Sequence, residues 1–272
     1  MIDATAPGER RAHILKRLQR EGRVSLADLA SEHAVSTVTV HRDLHLLSEE
    51  GLLERVRGGA RSLPERPAQI ETAWNARLRE AAPEKDAIAA AARELIEDGS
   101  TIFIDASSTG LALAHAIELR PPADLTLVTN SPAIALGLSA ATIHVIVAPG
   151  ELDQHMRVLT GRWTSDFLAR LTFAAAFVSA AGITLDHGLT TSRSGLADTL
   201  NTAADSAERV VGLMDSTKFE RSSLMTIRSV TALDLIITDD RLDPAVVGAF
   251  RAAGVNLQVV SGVAATNDAE AD

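Results

Sequence analysis

No cysteine occurs among the 272 residues, which excludes disulfides and thiolate metal centres and fits a reducing compartment. Tyrosine is absent too, and aromatics make up only 3% of the chain. The 46% of apolar residues must therefore build a core from Ala, Val, Leu and Ile, the stock of layered α/β domains. Long apolar runs are also missing. The longest, Phe173 to Ile183, falls short of the roughly 20 residues a membrane helix needs, and MIDATAPGERR at the start lacks the apolar stretch of a secretory signal. The expectation is a cytoplasmic protein with no membrane partner. A basic excess is lacking as well: 26 Lys and Arg stand against 36 Asp and Glu, a formal net charge of -10. That sum counts against a nucleic-acid partner, but its distribution is uneven. Residues 1–66 carry 11 basic and 10 acidic residues, and the remainder 15 and 26, so the acidic excess belongs to the second part of the chain.

The length favours a small domain followed by a larger one. Within residues 8–63, Glu9 to Arg20 reads as a helix with Ile14, Leu15 and Leu18 on one face, ended by Gly22. Ser25 caps a second helix carrying Leu26, Leu29 and Ala30, and a short turn through His33 and Ala34 leads to Ser36, the cap of a third. In this third helix, Thr37 to about Glu50, the apolar Val40, Leu44 and Leu47 recur at helical spacing, while Val38, His41, Arg42 and His45 fall on the opposite side. Gly51 stops it, Leu52 to Val56 can form a strand, and Gly58-Gly59 makes a tight turn flanked by Arg55, Arg57 and Arg61. Any one of these helices could be an ordinary amphipathic helix with a solvated face. Three in this order, with a basic hairpin behind them, read as a winged helix-turn-helix. Its candidate DNA contacts are Ser36, Thr37, Val38, Thr39, His41, Arg42 and His45 on the helix, and Arg55, Arg57 and Arg61 on the wing. His41 and His45 also stand at i and i+4, but no further ligand is near them in sequence, and no metal is expected.

Residues 64–83 read as a linker and connecting helix: RSLPERPAQI is polar with two prolines, and a helix follows around Trp74 to Glu80. Pro83 opens another helix with Ile88, Ala91, Ala92 and Leu95 inward, as far as Asp98-Gly99. Residues 84–262 then alternate short apolar runs (TIFID, LTLVT, IHVIVA, AAFVSA, RVVGLM, DLIIT, NLQVV) with helical stretches around 111–119, 134–140, 165–171, 197–207 and 244–253. That alternation predicts an α/β domain, Rossmann-like, with a mostly parallel sheet covered on both faces. The tail 263–272 is expected to be disordered.

Ligands of such sheets bind where strands end and helices begin. Three stretches there share a chemistry: Asp105-Ala106-Ser107-Ser108-Thr109-Gly110, Thr129-Asn130-Ser131-Pro132 and Asp215-Ser216-Thr217-Lys218-Phe219. Hydroxyls, an amide, helix N-termini and a lysine suit a phosphate and a polyol. Each stretch is also a good helix cap taken alone. Asp186 and Thr190-Thr191, in a glycine-bounded loop, are weaker candidates. No Ser-His-Asp set or G-x-G-x-x-G is present, no cofactor is expected, and His115, His144, His155 and His187 are scattered as structural or solvent residues are.

The run VSTVTVHRDLHLLSEEGLLERVRGGA resembles the DNA-binding signature of the DeoR family of bacterial transcriptional regulators. There a Val-Ser pair, a Thr-Ile/Val-Arg-Arg-Asp-Leu core, a Leu-x-x-x-Gly step and an Arg-x-x-Gly-Gly-Ala wing recur in this order. His41 stands here for the first arginine of the core. The stretches IDASST, LVTNS, AFVSAAGIT-DHGLTT and LMDSTKF extend the resemblance over roughly Arg10 to Asp239. It implies a sensor domain similar to ribose-5-phosphate isomerase, with Asp105, Ser107, Ser108, Thr109, Thr129, Asn130 and Lys218 lining an effector site. It further implies a non-enzymatic regulator, a repressor, that binds a double-stranded DNA operator and a phosphorylated sugar and assembles as a homodimer or homotetramer. Ala174 stands where members often carry aspartate, and Asp153-Gln154 and Asn201 where basic residues are common. Two rivals stay open: an isomerase-type enzyme with an accessory DNA-binding domain, and a regulator whose sensor domain only oligomerises.

Overall fold

The computed structural model describes residues 7–49, 53–61, 73–139 and 141–261. The expected helix stop at Gly51, the polar linker and the acidic tail 263–272 lie outside the described residues. The chain divides into two compact units, Met1–Glu71 and Thr72–Asp272.

The first unit runs α1 (Pro7–Glu21), β1 (Arg23–Ser25), α2 (Leu26–Glu32), α3 (Thr37–Glu49), β2 (Glu54–Val56) and β3 (Gly59–Arg61). Ile14, Leu18, Leu29, Val40, Leu44, Leu47 and Leu53 share one core, so the inward face read from the helical spacing is the buried face. Ser25 caps α2 by accepting from Ala27 N–H. At α3 the Ser36 hydroxyl accepts from Thr39 N–H at 3.1 Å. Two features were not expected. β1 pairs antiparallel with β3, making a three-stranded sheet of order β1-β3-β2. The wing turns at Arg57-Gly58, with Gly58 at φ 82, and Gly59 belongs to β3. A Cβ on Gly59 would lie 2.0 Å from the Val24 carbonyl oxygen, so its lack of a side chain is what lets β1 approach.

The second unit continues with α4 (Ala73–Arg79), α5 (Ala82–Arg93), β4 (Thr101–Ile104), α6 (Ser108–Leu119), β5 (Leu125–Thr129), α7 (Pro132–Gly137), β6 (Ile143–Val147), β7 (Glu151–Asp153), β8 (Val158–Thr160), α8 (Arg162–Leu168), β9 (Ala175–Val178), β10 (Gly182–Thr184), β11 (Gly188–Thr191), α9 (Ser194–Asp205), β12 (Val210–Leu213), β13 (Met225–Arg228), β14 (Leu235–Asp239), α10 (Pro244–Ala252) and β15 (Leu257–Val260). All seven apolar runs predicted as strands form the central sheet, of order β15-β14-β12-β9-β4-β5-β6 and parallel throughout. Both faces are buried, as the absence of polar alternation in those runs requires. Ile102 and Ile104 of β4 enter one core with Ile88, Leu113 and Phe177, whereas Phe103 enters the opposite core with Phe173, Leu200 and Phe250. The hairpin β7-β8 and the antiparallel sheet β10-β11-β13 were not expected, because their strands are three or four residues long and β13 is remote in sequence. From β4 the chain steps one way to β5 and β6, then returns to place β9 on the other side of β4. The switch point of the sheet therefore lies between β4 and β9.

Leu44, 1% exposed at the centre of the first unit's core, is expected to cost roughly 2–5 kcal/mol when replaced by alanine. Thermal unfolding of Leu44→Ala should show the loss, and any DNA-binding defect should disappear at temperatures where the variant is folded.

Candidate functional site

In the first unit α3 turns Val38 outward at 76% exposure, with His41, Arg42 and His45 exposed beside it. An apolar side chain so exposed next to donors is what a base edge with a thymine methyl can use. Ser36 and Thr39 contact each other through their hydroxyls at 2.8 Å, as part of the cap. The wing strand reaches the helix where Arg55 Nη2 donates to His41 Nε2 at 2.6 Å. Arg57 is exposed at the wing tip, while Arg61 forms a two-pronged pair with Glu54 at 2.9 and 2.8 Å. A phosphate near Arg61 would have to compete with that carboxylate. Asp43, unassigned from sequence, is buried and accepts from Arg10 Nε at 2.6 Å, fixing α1 against α3. Asp43 thus serves the packing of α3.

In the second unit a cavity of about 320 Å³ opens at the switch point. Asp105, Ser107, Ser108 and Thr109 line it from the end of β4, and Lys218 from the turn after β12. Ser179 follows β9, and Thr191 and Ser192 close β11, so hydroxyl-bearing residues line the space from three segments. Met156, Val158 and Leu196 supply an apolar wall. Asp105 joins the two strands at the switch: one oxygen accepts from Ser107 N–H at 3.1 Å, the other from Ser179 N–H at 2.8 Å. Burial pushes its carboxyl above the usual range, against the pull of those hydrogen bonds and of Arg77. Ser107 caps α6, accepting from Gly110 N–H at 2.8 Å. A Cβ at Gly110 would meet the Asp105 carbonyl oxygen at 2.5 Å, which keeps this helix start bare.

Thr129 and Asn130 do not line the cavity. Both are fully buried: Thr129 donates to the Ile104 carbonyl at 2.7 Å, and Asn130 Nδ2 donates to the Leu159 carbonyl at 3.1 Å. Asn130 thereby holds β8, whose Val158 forms part of the wall. Of the weaker candidates Thr191 lines the cavity, Thr190 is bonded to the Gly182 carbonyl, and Asp186 is exposed in a turn. Asp153 accepts from His155 and Met156 N–H, shaping the loop that carries Met156 to the cavity.

The residue that sequence reading missed is Arg77. Its helix α4, a connector by sequence, belongs to the second unit and brings Arg77 to the cavity. The guanidinium carbon sits 5.6 Å from the ring centre of buried Trp74, and Nε and Nη2 are buried with no hydrogen-bond partner among the described residues. Burial lowers its pKa from the ordinary value, opposed by Asp105 and Glu80. Lys218 stands 3.8 Å from the Glu80 carboxylate at the end of the same helix. Buried Lys85 anchors α4 by donating to the carbonyls of Arg77 and Glu80, and lies 3.5 Å from Asp215. No spacing rule marks Arg77 among its neighbouring arginines. Ser179 had a signal, its place directly after a parallel strand.

Comparison with known proteins bears on both units. A DeoR-like helix-turn-helix domain matches residues 10–66, and a DeoR C terminal sensor domain matches residues 80–240. The HTH-type transcriptional regulator GolR of Listeria innocua is 31% identical over 93% of this chain and 98% of its own. The glycerol-3-phosphate regulon repressor of Escherichia coli K12 is 31% identical over 85% of this chain and 90% of its own. Among solved structures, ribose 5-phosphate isomerase A from Methanocaldococcus jannaschii covers 52% of this chain and 55% of its own, at 16% identity and a TM-score of 0.38. Two family matches in the expected order, with relatives named as regulators and aligned almost end to end, settle the membership: the chain belongs to the DeoR family of DNA-binding transcriptional regulators.

Proposed function

We propose that the protein is a repressor whose operator affinity is set by a phosphorylated sugar or polyol bound in the cavity of the second unit. The observation that carries this reading is Arg77. A guanidinium with two nitrogens, Nε and Nη2, buried and unpaired among the described residues is costly unless an anion meets it, and a phosphate satisfies it in two-pronged fashion. The start of α6 adds backbone N–H groups beyond the one Ser107 caps, Lys218 adds a second cation once it leaves Glu80, and the lining serines and threonines suit sugar hydroxyls. A relative named for a glycerol-3-phosphate regulon supports a small phosphorylated polyol over a nucleotide.

Operator binding is assigned to the outward face of α3 and the wing. Arg42→Ala and His41→Ala should weaken binding to an operator selected from random DNA by about 1–3 kcal/mol while leaving the fold intact. Comparing selected and random DNA at two salt concentrations separates a lost base contact from a lost phosphate contact, which flattens the salt dependence. Unchanged binding in both variants would remove this face from the interface.

A panel of sugar and polyol monophosphates, each beside its unphosphorylated counterpart, tests the cavity through thermal unfolding and operator release. For the active compound, Arg77→Met and Lys218→Ala should lose the response and keep ligand-free operator affinity. A tenfold release corresponds to about 1.4 kcal/mol of differential affinity, and DNA should weaken ligand binding by the same factor. A normal response in both variants would move the ligand elsewhere.

Self-association is assigned to the second unit, because two-fold symmetric operators call for paired readers. Sedimentation of the whole chain and of residues 72–272 should give the same oligomer. A monomeric fragment beside a self-associating chain would overturn this.

A further inference from the structure

We propose that His13, Glu32 and His33 form a zinc site in the DNA-binding unit, bridging α1 to the C-terminal end of α2. His13 Nδ1 lies 3.4 Å from His33 Nε2 and 3.7 Å from Glu32 Oε1, and the three donor atoms all lie within 4.8 Å of one another. Zinc bonds of about 2.0–2.1 Å in a tetrahedron place neighbouring ligand atoms roughly 3.4 Å apart. A direct N–H···N bond between the rings would draw them to about 3 Å. The 3.4 Å between the ring nitrogens, also within hydrogen-bonding reach, matches that spacing, and the 3.7 Å from His13 to Glu32 Oε1 lies close to it.

The donor chemistry selects the ion. Two imidazoles and one carboxylate suit a borderline cation such as Zn²⁺, whereas Mg²⁺ and Ca²⁺ prefer all-oxygen shells. Arg17 donates to the other oxygen of Glu32 and also pairs with Glu21, so the carboxylate is held in place with Oε1 turned to the histidines. An outer-shell partner of this kind orients a ligand, and here its positive charge also moderates the affinity. The side chains of His13 and Glu32 are 51% and 32% exposed, which gives an ion a route in and leaves the fourth corner to water. His33 is buried and is the cap of α2, just before the turn through Ala34 at φ 51 that leads to α3. A bound ion would fasten the first helix to that turn. Sequence spacing hides the site, because His13 and His33 lie on different helices and meet only in the fold.

The test uses the full chain, stripped with chelator and titrated with Zn²⁺ alone, then with Co²⁺ as a spectroscopic substitute. One ion per chain, the absorption of tetrahedral Co²⁺ and a higher melting temperature on zinc addition are expected. His13→Gln and Glu32→Gln, both at accessible positions, should each lower zinc affinity at least tenfold without changing the circular dichroism of the metal-free protein. His41→Gln with His45→Gln should leave zinc binding as it was. No uptake at equimolar zinc, uptake undiminished in His13→Gln, loss in the His41/His45 variant, or several weak ions per chain, meaning an adventitious ion only, would each overturn the site.

Discussion

Burying guanidinium nitrogens that find no partner is among the costlier things a small domain can do, and among the described residues Arg77 Nε and Nη2 of the sensor unit are in that state. The surroundings explain how it is tolerated. Trp74 offers its ring face, Asp105 contributes a carboxylate held by two backbone N–H groups, and Lys85 secures the carbonyls at the end of α4. None of these removes the unsatisfied donors. Under the proposed function the arrangement is a preorganised anion receptor: the cost is met in folding, so that a ligand's phosphate finds its partners already placed. The Asp105 staple is equally part of it, because the carboxylate that offsets Arg77 is the one joining β4 to β9 where the sheet changes direction.

The DNA-binding unit handles charge differently. Its near-neutral balance is not a scatter of equal and opposite groups, since several acids are spent on holding particular arginines: Asp43 on Arg10, Glu54 on Arg61, Glu21 and Glu32 on Arg17. The buried pair fixes α1 to α3, whereas the exposed ones are worth little to stability and much to where a cation points. Arg42 and Arg57 are exposed, and Arg55 is aimed at His41. His41 therefore bears on the wing as well as the helix, because it provides an acceptor for Arg55.

Most of the architecture was legible in the chain. All seven sheet strands followed from short apolar runs, and the inward faces of α1 to α3 from helical spacing, because burial on two faces or on one stripe leaves a direct mark on residue order. The small elements β1, β7, β8 and β10 left no such mark, since three residues are too few for a pattern. The site was half legible. The loop after β4 and Lys218 reach the cavity because strand ends in a parallel sheet converge by topology. Thr129 and Asn130 share that chemistry but lie one strand further from the switch point, and the Thr129 hydroxyl and Asn130 Nδ2 donate to backbone carbonyls instead. Arg77 was hidden because a helix between domains has no fixed place relative to the sheet until the fold is known.

Control by a ligand cannot rest on the added charge alone. The second part of the chain already carries 26 acidic against 15 basic residues, and one phosphate changes that sum little. Between exposed charges, salt screens the repulsion within about 8 Å at physiological ionic strength. What a phosphate can shift locally is the partnership of two cations: Arg77 gains an acceptor, and Lys218 exchanges Glu80 for the ligand. Both changes act on α4, one at the residue it carries into the cavity and the other at its C-terminal end. α4 is also the first described element after the segment joining the two units. Under the proposed function, a small reorientation of this seven-residue helix is the change a ligand must favour by its differential affinity, and Lys85, which grips the helix from beneath, sets how stiffly it resists.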